Sequence, residues 1–176
     1  MAGVRRRFRL LALGALLGVL LFASVASPAS ATSSASVHAL DDVEVALVGK
    51  LNELRRSKGL DALRPSGSLE RAADVHARAM ARLGFFSHSS QDGTSAARRV
   101  QRYFDGARVG ETILWRSPGV DADRALDMWV SSPPHRQILL SRSFEQIGIR
   151  AVHVTSGAGV YGGLPVTIVV ADFGGG

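Results

Sequence analysis

The sequence predicts an α+β domain, and three observations carry that prediction. Apolar residues recur at helical spacing from residue 43 onward, the period shifts to alternation near Ile147, and the last apolar run, Val166 to Phe173, reads as a buried strand. Helices first and an antiparallel strand pair last argue against an alternating α/β arrangement. The chain has 176 residues, 46% hydrophobic and 20% charged. That is enough apolar material for one core and too little charge to keep the chain unfolded.

The chain opens with Arg5, Arg6, Arg7 and Arg9, followed by an uncharged apolar stretch from Leu10 to Val25 and the small residues Ala29, Ser30 and Ala31. Basic, apolar and small residues in that order predict a secretory signal peptide over 1–31, with cleavage after Ala31 and retention as an anchor as the alternative. The apolar stretch is shorter than the roughly 20 residues that span a bilayer. The paired arginines before Phe8 loosely resemble a twin-arginine export signal, although Arg9 stands where such a signal prefers an apolar residue. The formal charge of +6 is largely the leader's. Taking its four arginines from the 21 basic residues leaves 17 against 15 acidic ones, a net of +2, so nucleic acid is not expected as a partner. With no cysteine in the chain, disulfides, a thiolate nucleophile and cysteine-containing zinc sites are excluded. A secreted or extracytoplasmic location follows from the leader, and membrane association only if it is retained.

Residues 32–40 are small and polar and read as a short flexible arm in which His38 has no role; the domain proper is expected over 41–176. Val43, Leu47, Leu51 and Leu54 mark a helix over 42–58 that stops at Gly59. A second helix starts after Ser66 or Ser68, carries Leu69, Ala72, Ala73, His76, Met80 and Leu83 on one stripe, and closes at Gly84. Residues 85–93 form a loop anchored by Phe85 and Phe86. A short helix over 94–104 turns Ala97, Val100 and Phe104 inward. Residues 105–119 read as irregular around Gly106, Gly110 and Pro118. A helix over 120–131 ends before Pro133 and Pro134, which can open another helix at its first turn. Strand-like alternation at 147–152, a Gly-rich turn at 155–163 and the run 166–173 complete the chain.

No nucleotide-binding glycine loop, zinc-protease motif or serine-hydrolase elbow is present, so neither nucleotide nor flavin is expected. The polar residues in suggestive settings are His88, Glu111 and His135. Two imidazoles and a carboxylate suit a catalytic-type zinc site or metal-free acid and base work, and spacing does not choose between them. For each a structural role stands beside the functional one: a packed loop histidine, an acid accepting backbone N–H bonds, a neutral histidine near a helix start. His76, on an apolar stripe, reads as a core histidine, and His153, at a strand edge, as solvated. Arg55 and Arg136 read as staples from loops to helix ends. Ser87, Ser89 and Ser90 flank His88, but neighbours in sequence rarely form a triad.

Seven pieces stand in order over about 42–174: Asn52 to Arg55 with Gly59, Leu60 and Leu63; Ala73 to Ala77; Phe85 to Ser95; Val109 to Ile113; Trp129 to Arg136; Phe144 to Ile149; and Ala171 to Gly174. Together they resemble the bacterial branch of the CAP superfamily, the SCP-like extracellular proteins. The resemblance implies an α-β-α sandwich, with N-terminal helices packed on a small antiparallel sheet, and a central cleft. It implies that His88 and Glu111 are the cleft residues that bind a divalent metal such as Zn2+ in some members, with His135 facing the same cleft. Asn52, Arg55, His76, Trp129 and Arg136 are taken as structural. The chain departs from the family at Ser143, Phe144 and Glu145, where a second metal-binding histidine usually stands, and at Thr112 and Pro134. Three roles follow: a non-enzymatic extracellular binding or signalling module, a metal-dependent or acid/base hydrolase of peptide or cell-wall bonds, and a lipid or sterol carrier. The expected partner is an extracellular lipid, peptide or cell-wall component, and the default state is a monomer.

Overall fold

The computed structural model describes residues 31–176, with side chains from Asp42 onward. The leader lies outside them except at Ala31, and so does the side chain of His38. Helix α1 spans Ala31–Ser57. It therefore takes in residues 32–40, expected as a flexible arm; within the helix no Gly or Pro falls before Gly49, so nothing there breaks the helical ladder. Leu47 and Leu51 are fully buried one turn apart, and Arg55 continues the buried stripe. Among the described residues no helix is long and apolar enough to cross a membrane.

A two-residue strand β1 (Arg64–Pro65) leads into α2 (Gly67–Leu83), whose buried face carries Leu69, Ala72, Ala73, His76, Ala77 and Met80. The helix stops at Gly84 in the left-handed region, where its N–H bonds to the Met80 carbonyl. A Cβ there would lie 2.7 Å from the backbone of Ala158 and Gly159, so only glycine lets that loop close on the helix end. Helix α3 (Ala96–Val100) is capped by Ser95. It is shorter than the expected 94–104, and Ala97 is exposed while Arg99 and Val100 face inward.

Strand β2 (Arg108–Arg116) replaces the irregular segment expected at 105–119. Its central residues Glu111 to Leu114 are all buried, so neither face offers the polar alternation that marks a half-exposed strand. Helices α4 (Ala122–Ser131) and α5 (Pro133–Leu139) follow, with the two prolines in the first turn of α5. Strands β3 (Gln146–Val154) and β4 (Val166–Gly175) complete a mixed sheet in the order β1-β3-β4-β2. β4 lies between β3 and β2, antiparallel to both, and every residue in it is buried.

Alternation in β4 divides the core into layers. Val169, Ala171 and Phe173 pack with Leu47 and Leu51 of α1 and Trp129 of α4; Ile168 and Val170 pack with Ala73, Ala77 and Met80 of α2. Helices thus cover both faces of the sheet, an α-β-α sandwich. The approach of α2 depends on Gly148 in β3, where a Cβ would lie 1.9 Å from the Glu70 backbone nitrogen. On the other side Asn52 substitutes for a strand neighbour: its amide donates to the Leu63 carbonyl at 3.0 Å and accepts the Leu63 N–H at 2.8 Å.

Candidate functional site

Three elements on the α2 side of the sheet meet at one polar cluster. The loop after α2 supplies His88, α3 supplies Arg99 and β2 supplies Glu111. His88 Nδ1 lies 2.7 Å from Glu111 Oε1, and Arg99 Nη2 pairs with Glu111 Oε2. Only the imidazole is substantially exposed, at 52%, against 2% for Glu111 and 4% for Arg99. The carboxylate accepts, so Nδ1 carries the proton of this contact, and Nε2 stands on the side of the ring away from Glu111. The second guanidinium nitrogen of Arg99 donates to the His88 carbonyl at 2.9 Å and to Ser90 Oγ at 3.2 Å. One arginine thus holds both the backbone of His88 and the carboxylate that orients its ring.

Asp172 of β4 stands in register opposite Glu111 and is fully buried. Burial, and then the charge of Glu111, hold its carboxyl well above the usual range against the pull of Arg99. Folding therefore favours the protonated form of this carboxyl. The core side is completed by His76 of α2, whose Nε2 lies 2.8 Å from the Ser87 carbonyl. Burial lowers its pKa, opposed by Glu111.

His135, in the first turn of α5, lines a pocket of about 230 Å³ with Phe86, Ile113, Trp115, Met128 and Ser132. Its pKa is lowered by burial and then by His88, so the second imidazole lies within electrostatic reach of the first. His88 and Glu111 are thus in direct contact, while His135 stands apart from that hydrogen-bonded group.

Two of the expected zinc ligands, His88 and Glu111, bond to each other in this structure. Glu111 has one oxygen on His88 and the other on Arg99, and His88 has Nδ1 on Glu111. Among the described residues no group of three or more His, Asp or Glu side chains is arranged to hold a metal ion. Nor do the flanking serines form a triad: Ser87 Oγ accepts the Ser89 amide at 3.1 Å, and Ser90 Oγ accepts from Arg99.

The remaining sequence candidates are placed away from this cluster. Arg55, buried at the end of α1, donates to the carbonyls of Asp61, Leu139, Ser141 and Phe144. Arg136 donates to the Val130 carbonyl at 2.9 Å, Trp129 is buried in the core, and His153 contacts Thr167 Oγ1 at 3.2 Å. Sequence reasoning missed Arg99 and Asp172. Arg99 was hidden among the three arginines of the expected span 94–104; Asp172 was signalled by an acid inside a mostly apolar strand.

The chain matches the cysteine-rich secretory protein family, CAP, over residues 48–173. An uncharacterized protein of Borreliella burgdorferi is 25% identical over 121 residues, covering 67% of this chain and 76% of its own length. Among solved structures, an outer surface protein of Borrelia burgdorferi superposes with a TM-score of 0.61 at 20% identity, covering 77% of this chain and 92% of that one. An extracellular SCP-domain protein of Bacillus anthracis gives 0.60 at 23% identity, over 78% of this chain and 43% of that one. A cysteine-rich secretory protein of Staphylococcus aureus gives 0.60 at 18%, over 80% and 40%. This chain therefore spans less than half of the last two, and at these identities the structures speak for the fold alone. Family match and fold agree: the chain belongs to the CAP family of cysteine-rich secretory proteins, although it contains no cysteine.

Proposed function

We propose that the chain is an exported CAP domain acting as a non-enzymatic binding module whose cleft is centred on His88. One observation carries the reading: an exposed imidazole is held through Nδ1 by a carboxylate that is itself paired with a buried arginine, and an apolar pocket containing a second histidine lies within electrostatic reach. In its neutral form such a group is a hydrogen-bond acceptor at Nε2. It suits a ligand with an apolar body, which Phe86, Trp115 and Met128 would cover, and one O–H or N–H donor for His88 Nε2. Export is supported by the basic-apolar-small leader and by relatives named as outer surface or extracellular proteins.

The test is a titration of the isotopically labelled protein with phenol and benzyl alcohol as probes, followed by backbone amide NMR. Shifts should concentrate at Phe86, His88, Trp115 and His135 and weaken at least tenfold in His88→Ala. Shifts elsewhere, or unchanged binding by the variant, would overturn the reading. The His88–Glu111 contact also supports a second reading, an acid/base hydrolase in which Nε2 takes a proton from water. Turnover of a peptide or a cell-wall glycan abolished by His88→Gln would favour it over binding alone.

A further inference from the structure

Side chains from three elements close on the carbonyls of one loop. The Tyr161 hydroxyl donates to Phe85 O at 2.7 Å, His76 Nε2 reaches Ser87 O at 2.8 Å, and Arg99 Nη1 donates to His88 O at 2.9 Å. All three side chains belong to buried residues, with exposures of 1%, 0% and 3%. A carbonyl only accepts, so the His76 proton must sit on Nε2. The other ring nitrogen, Nδ1, is then a bare acceptor, buried and without a partner. A side chain that only filled space here would avoid the cost of burying that nitrogen. The ring also meets Phe85 edge-on, with centroids 5.9 Å apart.

We propose that His76 is a positioning residue of the cleft, fixing the Ser87 carbonyl so that the next residue, His88, presents its imidazole to Glu111. His76 does not face the ligand; it acts through the backbone of its neighbour. Arg99 fixes the carbonyl on the far side of His88, so the residue is held at both of its peptide units. Tyr161 fixes the start of the same loop. The inference rests on the reading of His88 as the working group of the cleft, yet its test uses no ligand.

The test compares His76→Phe, which keeps a ring but no donor, with His76→Gln, which restores an amide N–H donor. The downfield proton resonance of His88 Nδ1–H, identified by its loss in His88→Gln, reports the contact with Glu111. It should vanish in His76→Phe, with amide exchange at Ser87 to Ser89 at least tenfold faster, and both effects should reverse in His76→Gln while β4 exchanges as in the wild type. Persistence of the resonance in His76→Phe, or equal loss in both variants, would overturn the proposal. Should neither variant fold, the wild-type ring decides: a proton on His76 Nδ1 contradicts the proposal, and one on Nε2 bears it out. Failure here leaves the binding reading standing, and failure of every probe to bind leaves this hydrogen bond standing.

Discussion

Arg99 and Glu111 form an ion pair with both side chains almost out of solvent, and Asp172, whose carboxyl is pushed well above its ordinary range, lies across the strand ladder from the carboxylate. One guanidinium therefore balances one carboxylate, while burial biases the second acid toward its neutral form. Burying a pair like this adds little net stability, because desolvation offsets the attraction, but breaking it is costly.

Arg99→Ala should destabilise the protein by about 3–5 kcal/mol, since it leaves a buried carboxylate uncompensated. Arg99→Lys should recover part of that, keeping the charge but not the fork that reaches both Glu111 and the His88 carbonyl. Urea denaturation at pH 7 measures both. A loss below about 1 kcal/mol in Arg99→Ala would mean that the pair is not buried as described.

Asp172 gives a pH signature with a definite sign. Its folded pKa is raised, so from the ordinary carboxyl value upward the unfolded chain releases a proton that the folded protein keeps, and stability falls as pH rises. Asp172→Asn removes that dependence. The variant should gain stability relative to the wild type between pH 4 and pH 7, read from thermal midpoints across that range. A constant difference between the two would refute the buried neutral acid.

Tyr161 is pushed up to about 12 by burial. In a spectrophotometric titration, one of the two tyrosines should ionise well above the ordinary value near 10, and Tyr161→Phe should remove that later step. Stability contributed by the buried phenol is complete below the ordinary tyrosine pKa and is lost as pH rises through about 12. A single step near 10 in the folded wild type would contradict the hydroxyl's burial against the Phe85 carbonyl.

Arg55 joins the end of α1 to the end of α5 and the segment after it through the carbonyls of Leu139, Ser141 and Phe144, and also holds Asp61 in the loop after α1. Arg55→Lys keeps the charge but cannot span them, so a loss on the order of 3 kcal/mol is expected, close to that of Arg55→Met. Near-wild-type unfolding of the lysine variant would show that charge, and not the planar fork, is what matters there.

The elements legible in the sequence are those with one polar and one apolar face. Leu69, Ala72, His76 and Met80 mark α2 because its far side is solvated, and Gly84 marks its end because only glycine fits there. Strand β2 was not legible because helices cover it from both sides, so Glu111 to Leu114 are buried without alternation. His88 and Glu111 stood out in the sequence as polar residues in suggestive settings, but only the resemblance to the family placed them together, and they do meet, at 2.7 Å. Arg99 could not be separated from Arg98, which stays exposed, since one helical position decides which of the two turns inward. The grip on the Phe85, Ser87 and His88 carbonyls depends on tertiary packing, which leaves no local pattern in the chain.

The most direct test of the account is the protonation of the His88 ring in the wild-type protein at neutral pH, read by long-range nitrogen–proton NMR. The account predicts a proton on Nδ1, held by Glu111, and a bare Nε2; a proton on Nε2, or two ring nitrogens averaged by exchange, would contradict it.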